Sequence, residues 1–342
     1  MISKLVRYSL LLISVLTLGA FVAYMEFELY LDTPLPLIST MLLDVRPGSS
    51  MNQVSTQLAE QASLGRPRLF SLWARYHGYD TGLRAGEYEL AVGMTPRAAL
   101  AHIMSGRSVQ YPVTFIEGNT TRQTLEALWL SSKLTITLQG KSDDEILTAL
   151  ESPYTSIEGV LYPDTYFYTA GDTDLSILRR SAGLMEAILT EEWNNRAPDL
   201  PYATPYEALI MASIIEKESG LNSEREQIAG VFVRRLRTGM RLQSDPTVIY
   251  GIGSSYDGNI RRVDLDTTTP YNTYRINGLP PTPIALAGRN ALHAALHPTD
   301  DTALYFVARG DGGHQFSNTL EEHNAAVRQY LLNRSSPASQ TP

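Results

Sequence analysis

The sequence predicts an α+β protein: an N-terminal transmembrane helix, a small strand–helix–helix–strand subdomain, and a mixed α/β domain with a central helix as the candidate catalytic element. Three observations predict it. An uncharged apolar run fills Ser9 to Met25, strand and helix periodicities alternate between Leu42 and Leu90, and helix patterns dominate beyond Glu158. The organisation that follows is a cytoplasmic start at 1–7, an anchor at 8–30, a linker at 31–39, the small subdomain at 40–110, the main domain at 111–334 and a disordered tail at 335–342.

The anchor comes first. Its apolar run of about 17 residues is at the short end of what crosses a hydrocarbon layer as a helix. Lys4 and Arg7 precede it and Glu26, Glu28 and Asp32 follow, which places the start in the cytoplasm and the remainder outside. A cleaved signal peptide is the rival. A cut after Ala23 would need a small residue where Phe21 stands, while a cut after Gly19, with Thr17 upstream, stays open.

Composition removes several function classes. In 342 residues the net charge is −8 with no basic stripe, which argues against a nucleic-acid binder. There is no cysteine, so disulfides, thiol nucleophiles and zinc–thiolate sites are excluded.

Thr33-Pro34-Leu35-Pro36 predicts a stiff spacer after the anchor. Leu42-Leu43-Asp44-Val45 suits a strand, Pro47-Gly48 a turn, Ser50 a helix cap, and Val54, Leu58 and Ala62 one helical face. A second helix follows through Leu69, Leu72, Trp73 and Tyr76, and Gly86 to Leu90 returns as a strand. The Gly48 turn has two relatives, Gly93 to Leu100 and Gly118 to Leu125, which share the pattern G-x-T-x-R-x-x-L. Glycine permits a sharp turn, threonine caps the helix behind it and leucine packs inward. The unequal spacing fits a recurring strand-to-helix turn as well as a duplicated module.

In the main domain a tyrosine-rich stretch, Gly159 to Tyr168, precedes a long helix over Leu175 to Trp193. The next helix starts at Thr204-Pro205, a cap followed by a residue suited to the first turn, and Gly220 should stop it. Ala208, Met211, Ala212 and Ile215 form an apolar stripe whose next positions are Glu218 and Ser219, while Glu216 and Lys217 fall off it. Glu218 is therefore the candidate general acid, a carboxyl kept from water and able to hold its proton near neutral pH. A solvated Glu-Lys-Glu cluster is the plainer reading of the same residues.

Another helix follows through Ile228, Val231, Phe232 and Leu236, and then polar loops. Three loop stretches, Gln243-Ser244-Asp245-Pro246-Thr247, Tyr271-Asn272-Thr273-Tyr274 and Gly278-Leu279-Pro280-Pro281, mix amides, hydroxyls and tyrosine rings. That mixture suits a neutral, hydroxyl-rich ligand such as a sugar. His293 and His297 stand four apart on a predicted helix, but Ala294 occupies the place where a zinc-protease helix carries glutamate, so no metal is expected. His314 and His323 either line the site or serve the fold. No G-x-S-x-G elbow is present.

Taken in order, Ala212 to Glu218, Gly239 to Gly251, Tyr271 to Tyr274, Gly278 to Pro281 and His314-Gln315-Phe316 resemble the endolytic murein transglycosylases, the MltG or YceG-like family. The resemblance covers nearly the whole chain. It implies a LysM-like subdomain at the strand–helix–helix–strand unit and a single-pass inner-membrane protein whose C-terminal domain is periplasmic. It implies that nascent peptidoglycan glycan strands are cleaved between N-acetylmuramic acid and N-acetylglucosamine with 1,6-anhydro ends, an event that would terminate strand elongation, with cell-wall synthases as the partners the resemblance suggests. The family's catalytic glutamate falls on Glu218. Ser219 stands where threonine is common and keeps a hydroxyl. Gln243, Asp245, Tyr271 and Asn272, with Ser219 and His314, are the candidate sugar-binding residues. No cofactor is expected. An older label for the family, aminodeoxychorismate lyase, would need a pyridoxal-phosphate lysine, and Lys217 lies off the core stripe. The remaining alternative is a membrane-anchored glycan-binding scaffold without catalysis.

Overall fold

The structure is a computed structural model that describes residues 2–332; the tail expected to be disordered lies outside them. The chain divides into two compact units. The first takes residues up to Tyr111 with Lys133–Thr135 and Phe167–Asp172, and the second takes Pro112–Ser132, Ile136–Tyr166 and the described chain from Thr173 onward.

In the first unit helix α1 (Ile2–Leu31) does not end with its apolar run. It continues because Phe27, Tyr30 and Leu31 pack into the unit's core, Leu31 fully. The segment expected to be a stiff spacer is docked onto the unit, since Leu35 is buried and its N–H donates to the Met94 carbonyl. Strands β1 (Met41–Val45) and β2 (Gly86–Leu90) pair antiparallel, Met41 opposite Leu90 and Val45 opposite Gly86. Between them lie α2 (Met51–Ala62) and α3 (Pro67–Tyr76).

Ser50 caps α2 in a capping box with Gln53, and Val54, Leu58 and Ala62 face inward as their spacing requires. On α3 the inward side is Phe70, Ser71 and Ala74, whereas Leu69, Leu72 and Tyr76 are exposed. Helix α4 (Pro96–Ser105) closes the unit, and Thr95 caps it by accepting from Ala98 N–H.

Strand β3 (Gln110–Thr114), helices α5 (Thr121–Trp129) and α6 (Asp143–Leu150), and strand β4 (Thr165–Thr169) follow, β3 pairing with β4. Gly48, Gly93 and Gly118 all have positive φ, at 77°, 85° and 76°. The recurring turn is therefore built as the pattern predicts, glycine in the left-handed region and Ser50, Thr95 or Thr120 capping the next helix.

In the second unit α7 (Asp174–Asn194), α8 (Pro205–Glu218), α9 (Asn222–Arg237), α10 (Asp245–Ile252), α11 (Arg262–Asp266) and α12 (Arg289–Leu296) precede an antiparallel pair, β5 (Tyr305–Ala308) and β6 (His314–Ser317), and helix α13 (Leu320–Val327). Helices α7, α9, α10 and α12 all touch α8. Thr204 caps α8 as expected, its hydroxyl accepting from Glu207 N–H. Two expectations for α8 fail. It ends at Glu218 with Ser219 extended, and Gly220 takes no left-handed conformation. Its apolar stripe is a full circumference, because every residue from Ala208 to Glu216 is buried.

Glu216 is thus inside the protein. Arg225 of α9 binds it through both ends of the guanidinium, at 2.6 and 3.2 Å, and Gly288 N–H donates to it at 3.0 Å, at the start of α12. Lys217 is exposed and its Nζ donates to the Gly118 carbonyl at 3.0 Å.

Candidate active site

The carboxyl group of Glu218 stands at the last residue of α8, with Ser244 Oγ donating to its Oε1 at 2.5 Å. The stretch 243–247 aims that hydroxyl. Gln243 adopts a left-handed backbone, φ 51°, which turns the chain so that Ser244 points inward. Ser244 is then fixed from three directions: its N–H donates to Thr273 Oγ1 at 2.9 Å, its carbonyl accepts from Thr247 Oγ1 at 2.7 Å, and Thr247 and Thr273 share a hydrogen bond at 2.8 Å. All three residues are buried. Asp245 and Pro246 are the first residues of α10, so a stretch that looks like loop in the sequence is a helix N-terminus.

Two charges flank Glu218 from opposite sides of the sign. Asp245 is exposed and accepts from Tyr274 Oη at 2.6 Å. Arg235 of α9 is buried; its Nε donates to the Leu304 carbonyl at 2.8 Å, its Nη1 to the Leu242 carbonyl at 2.7 Å, and its guanidinium lies 5.2 Å from the Tyr305 ring centre. By gripping Leu242, Arg235 also holds the loop that carries Ser244.

Burial pushes the Glu218 carboxyl up to about 7 from its ordinary 4.5. The Ser244 hydrogen bond opposes that rise, Asp245 adds to it, and Arg235 opposes it. The residue keeps partial exposure. It is therefore a carboxylic acid able to hold a proton near neutral pH while still open to a ligand.

The other candidates divide. Gln243 is exposed beside Ser244. Tyr271 is half-buried, edge-on to Tyr250 at 4.8 Å, with its hydroxyl sharing a bond with Thr282 at 2.8 Å. Tyr250 in turn donates to buried Glu158 at 3.1 Å. Asn272 is only 1% exposed, and its amide is committed to the fold. Nδ2 donates to the carbonyls of Asp264, Leu265 and Thr267, and Oδ1 accepts from Tyr274 N–H. Ser219 is buried, its Oγ accepting from Leu221 N–H at 3.0 Å. His314, on β6, bonds through Nδ1 to Glu224 at 2.8 Å, and its own N–H donates to the same carboxylate. Its bonds run to α9 rather than to Glu218.

Ser244 and Tyr274 belong to the ligand-suited loop stretches without standing out as candidates, and Arg235 lies outside them. Ser244 lies between the candidates Gln243 and Asp245, and at the start of α10 its hydroxyl goes to Glu218 instead of capping the helix. Arg235 gave no signal, since an arginine in a helix is ordinarily solvated.

Glu192, His293 and His297 form the one trio among the described residues whose ligand atoms lie within 4.8 Å of one another. They are already engaged: Glu192 holds Arg289 at 2.9 Å and His293 at 3.0 Å, and the two nitrogens of His297 face the His293 and Asn195 carbonyls. A divalent ion would have to break these bonds.

Set beside known proteins, residues 43–329 match the YceG-like family. The chain is 31% identical over 318 residues to the endolytic murein transglycosylase of Bacillus subtilis, an alignment covering 86% of each chain. It is 28% identical to the protein of the same name in Streptococcus pneumoniae, covering 90% of this chain and 62% of that one. The crystal structure of a putative YceG-like protein from Listeria monocytogenes superposes with a TM-score of 0.53 at 29% identity, covering 84% of this chain and 98% of the other. Fold and site together define a membrane-anchorable α+β protein with a protonatable carboxyl at the end of a buried helix. The chain belongs to the YceG-like family.

Proposed function

We propose that this protein is an endolytic lytic transglycosylase of peptidoglycan, with Glu218 as general acid and then general base. Glu218 gives its proton to the oxygen joining N-acetylmuramic acid C1 to N-acetylglucosamine C4, and the C1–O bond breaks. The C6 hydroxyl of the muramic acid closes onto C1, and its proton returns to the Glu218 carboxylate. The products are a 1,6-anhydro end and a free C4 hydroxyl. No water is consumed, so the second carboxylate of ordinary glycosidases is not required.

The observation that carries this reading is the Glu218 carboxyl at the end of α8, pushed up to about 7 by burial and hydrogen-bonded by Ser244 Oγ at 2.5 Å. Gln243, Asp245 and Tyr271 are assigned to sugar contacts, Ser219 and His314 to the edges of the site, and Asn272 to holding the loop that presents Tyr271 and Tyr274. The strand–helix–helix–strand unit is assigned as LysM-like. Helix α1 is long and apolar enough to span a membrane. With α1 as an inner-membrane anchor and the main domain outside the cytoplasm, the enzyme would meet strands as they are made and limit their length.

The test is digestion of uncrosslinked glycan strands by the full chain and by Glu218→Gln. The variant should fold and bind strands yet lose about 10²–10⁴-fold in cleavage, the usual contribution of a positioned acid–base group. Cleavage within a few-fold of the parent would refute the assignment. Retained binding with no cleavage by the parent would leave only a glycan-binding scaffold.

A further inference from the structure

The apolar run of α1 ends at Met25, and Glu26 is the first charged residue after it, which marks where a spanning helix would leave the hydrocarbon layer. Arg66 meets α1 at that level. Its guanidinium is 3.9 Å from the Glu26 carboxylate, its backbone N–H donates to Tyr30 Oη at 3.1 Å, and its charge lies 5.7 Å from the Tyr30 ring centre. Glu26 and Tyr30 are separated by about 6 Å along the helix axis. The next residue, Pro67, opens α3, so α3 begins within about one turn of the lipid boundary.

The outward side of α3 is apolar. Leu69, Leu72 and Tyr76 are 50%, 62% and 87% exposed, and their spacing of three and four residues puts them on one face. Exposed Arg68 flanks that face, and Arg75 beside it is also exposed, its Nη2 donating to Asn52 Oδ1 of α2 at 3.2 Å. Leu29 of α1, one residue before Tyr30, is 71% exposed at the same level. Two leucines and a tyrosine exposed on one helix face form an apolar patch of the kind that marks an interaction surface. A helix lying in a bilayer interface presents such a face, with leucines in the acyl boundary, tyrosine at the headgroups and a basic residue such as Arg68 at the phosphates.

We propose that the exposed face of α3 rests in the interfacial layer of the phospholipid bilayer, seating the first unit on the membrane instead of suspending it on a stalk. The proposal rests on α1 being a membrane anchor. The junction is stiff enough to hold such a pose. Leu31 and Leu35 are buried in the same core as α3, and Arg97 pairs with both Glu28 and Asp32 of the α1 end. Lipid is the occupant because Arg66 and the shared core of Leu31 and Leu35 tie α3 to the end of α1, so a membrane-spanning α1 would hold the start of α3 within about one turn of the lipid boundary, whereas a protein partner would have to be recruited there.

The chain has no cysteine, so single substitutions take a thiol probe at one place. The full chain is placed in phosphatidylcholine–phosphatidylglycerol nanodiscs containing brominated acyl chains, with a fluorescent label on Leu69→Cys, Leu72→Cys, Ser14→Cys within α1, or Gln61→Cys at an exposed position of α2. Quenching at Leu69 and Leu72 should be several-fold that at Gln61 and approach that at Ser14. Labels at Leu69 and Leu72 as unquenched as Gln61, with Ser14 quenched, would overturn the proposal and leave the anchor standing; those discs hold lipid only, so this is also the result if a protein covers the face. An unquenched label at Ser14 would overturn the anchor and the proposal together.

Discussion

Glu218 is set between neighbours that pull its proton affinity in opposite directions, and each gives a signed prediction. If the protonated acid starts the reaction, kcat should fall as pH rises through about 7. Ser244 stabilises the carboxylate, so Ser244→Ala should move that alkaline limb to higher pH; Asp245 destabilises it, so Asp245→Asn should move the limb to lower pH. Kinetics across pH check both, and shifts of the same sign would contradict the account.

Stability follows the same linkage. The folded value of Glu218 lies above its unfolded 4.5, so the fold favours the neutral form, and that advantage is lost as pH rises from 4.5 through about 7. Glu218→Gln should therefore raise Tm relative to the parent more at about pH 8 than at about pH 5, as scanning calorimetry would show. At this scale the sequence showed Glu218 but hid its environment. Helical spacing places a carboxyl at the end of a stripe, whereas Ser244 and Arg235 reach it from other elements.

Among the elements, α8, α9 and α12 are joined by the buried Glu216–Arg225 pair and the Gly288 N–H. Arg225→Met strands a buried carboxylate and should cost about 3–5 kcal/mol in urea unfolding, while adding Glu216→Leu should recover most of the loss. The sequence carried a clue to this pair. Leu209, Ile210, Ile214 and Ile215 make α8 apolar all round, which means every polar residue on it needs a partner. Reading one stripe set Glu216 outside. The starts of α2, α4, α5 and α8 were legible because a serine or threonine cap is a local signal. The start of α10 was not, since Ser-Asp-Pro suits a turn and a first helical turn equally, and only the packing against α8 decides. Asn272 shows the same limit: its side chain stitches 264–267 to 274, which spacing could not reveal. Asn272→Ala should lower stability by about 1–3 kcal/mol in denaturant unfolding and loosen substrate binding through the loop, without moving the pH limb.

For the whole molecule, the long apolar helix, the strand–helix–helix–strand unit and the helix-rich second unit follow from periodicities that span many residues. How that helix joins the first unit does not. Thr33-Pro34-Leu35-Pro36 has a linker's composition, yet Leu31 and Leu35 are core residues, because the chain following the apolar run is also a layer of the first unit. The second unit brings Glu218, Ser244, Asp245 and Arg235 together from three helices and the loop between two of them, a convergence that no single stretch displays.

The claim on which everything else depends is that a single carboxyl moves one proton out and one back while the sugar's own C6 oxygen, and not water, closes the reaction. Mass spectrometry of the strand ends released from uncrosslinked glycan, run in ¹⁸O-labelled water, tests it most directly. Muramic acid ends one water lighter than hydrolysed ends and free of ¹⁸O are expected. Reducing ends of full mass that carry the label would contradict it.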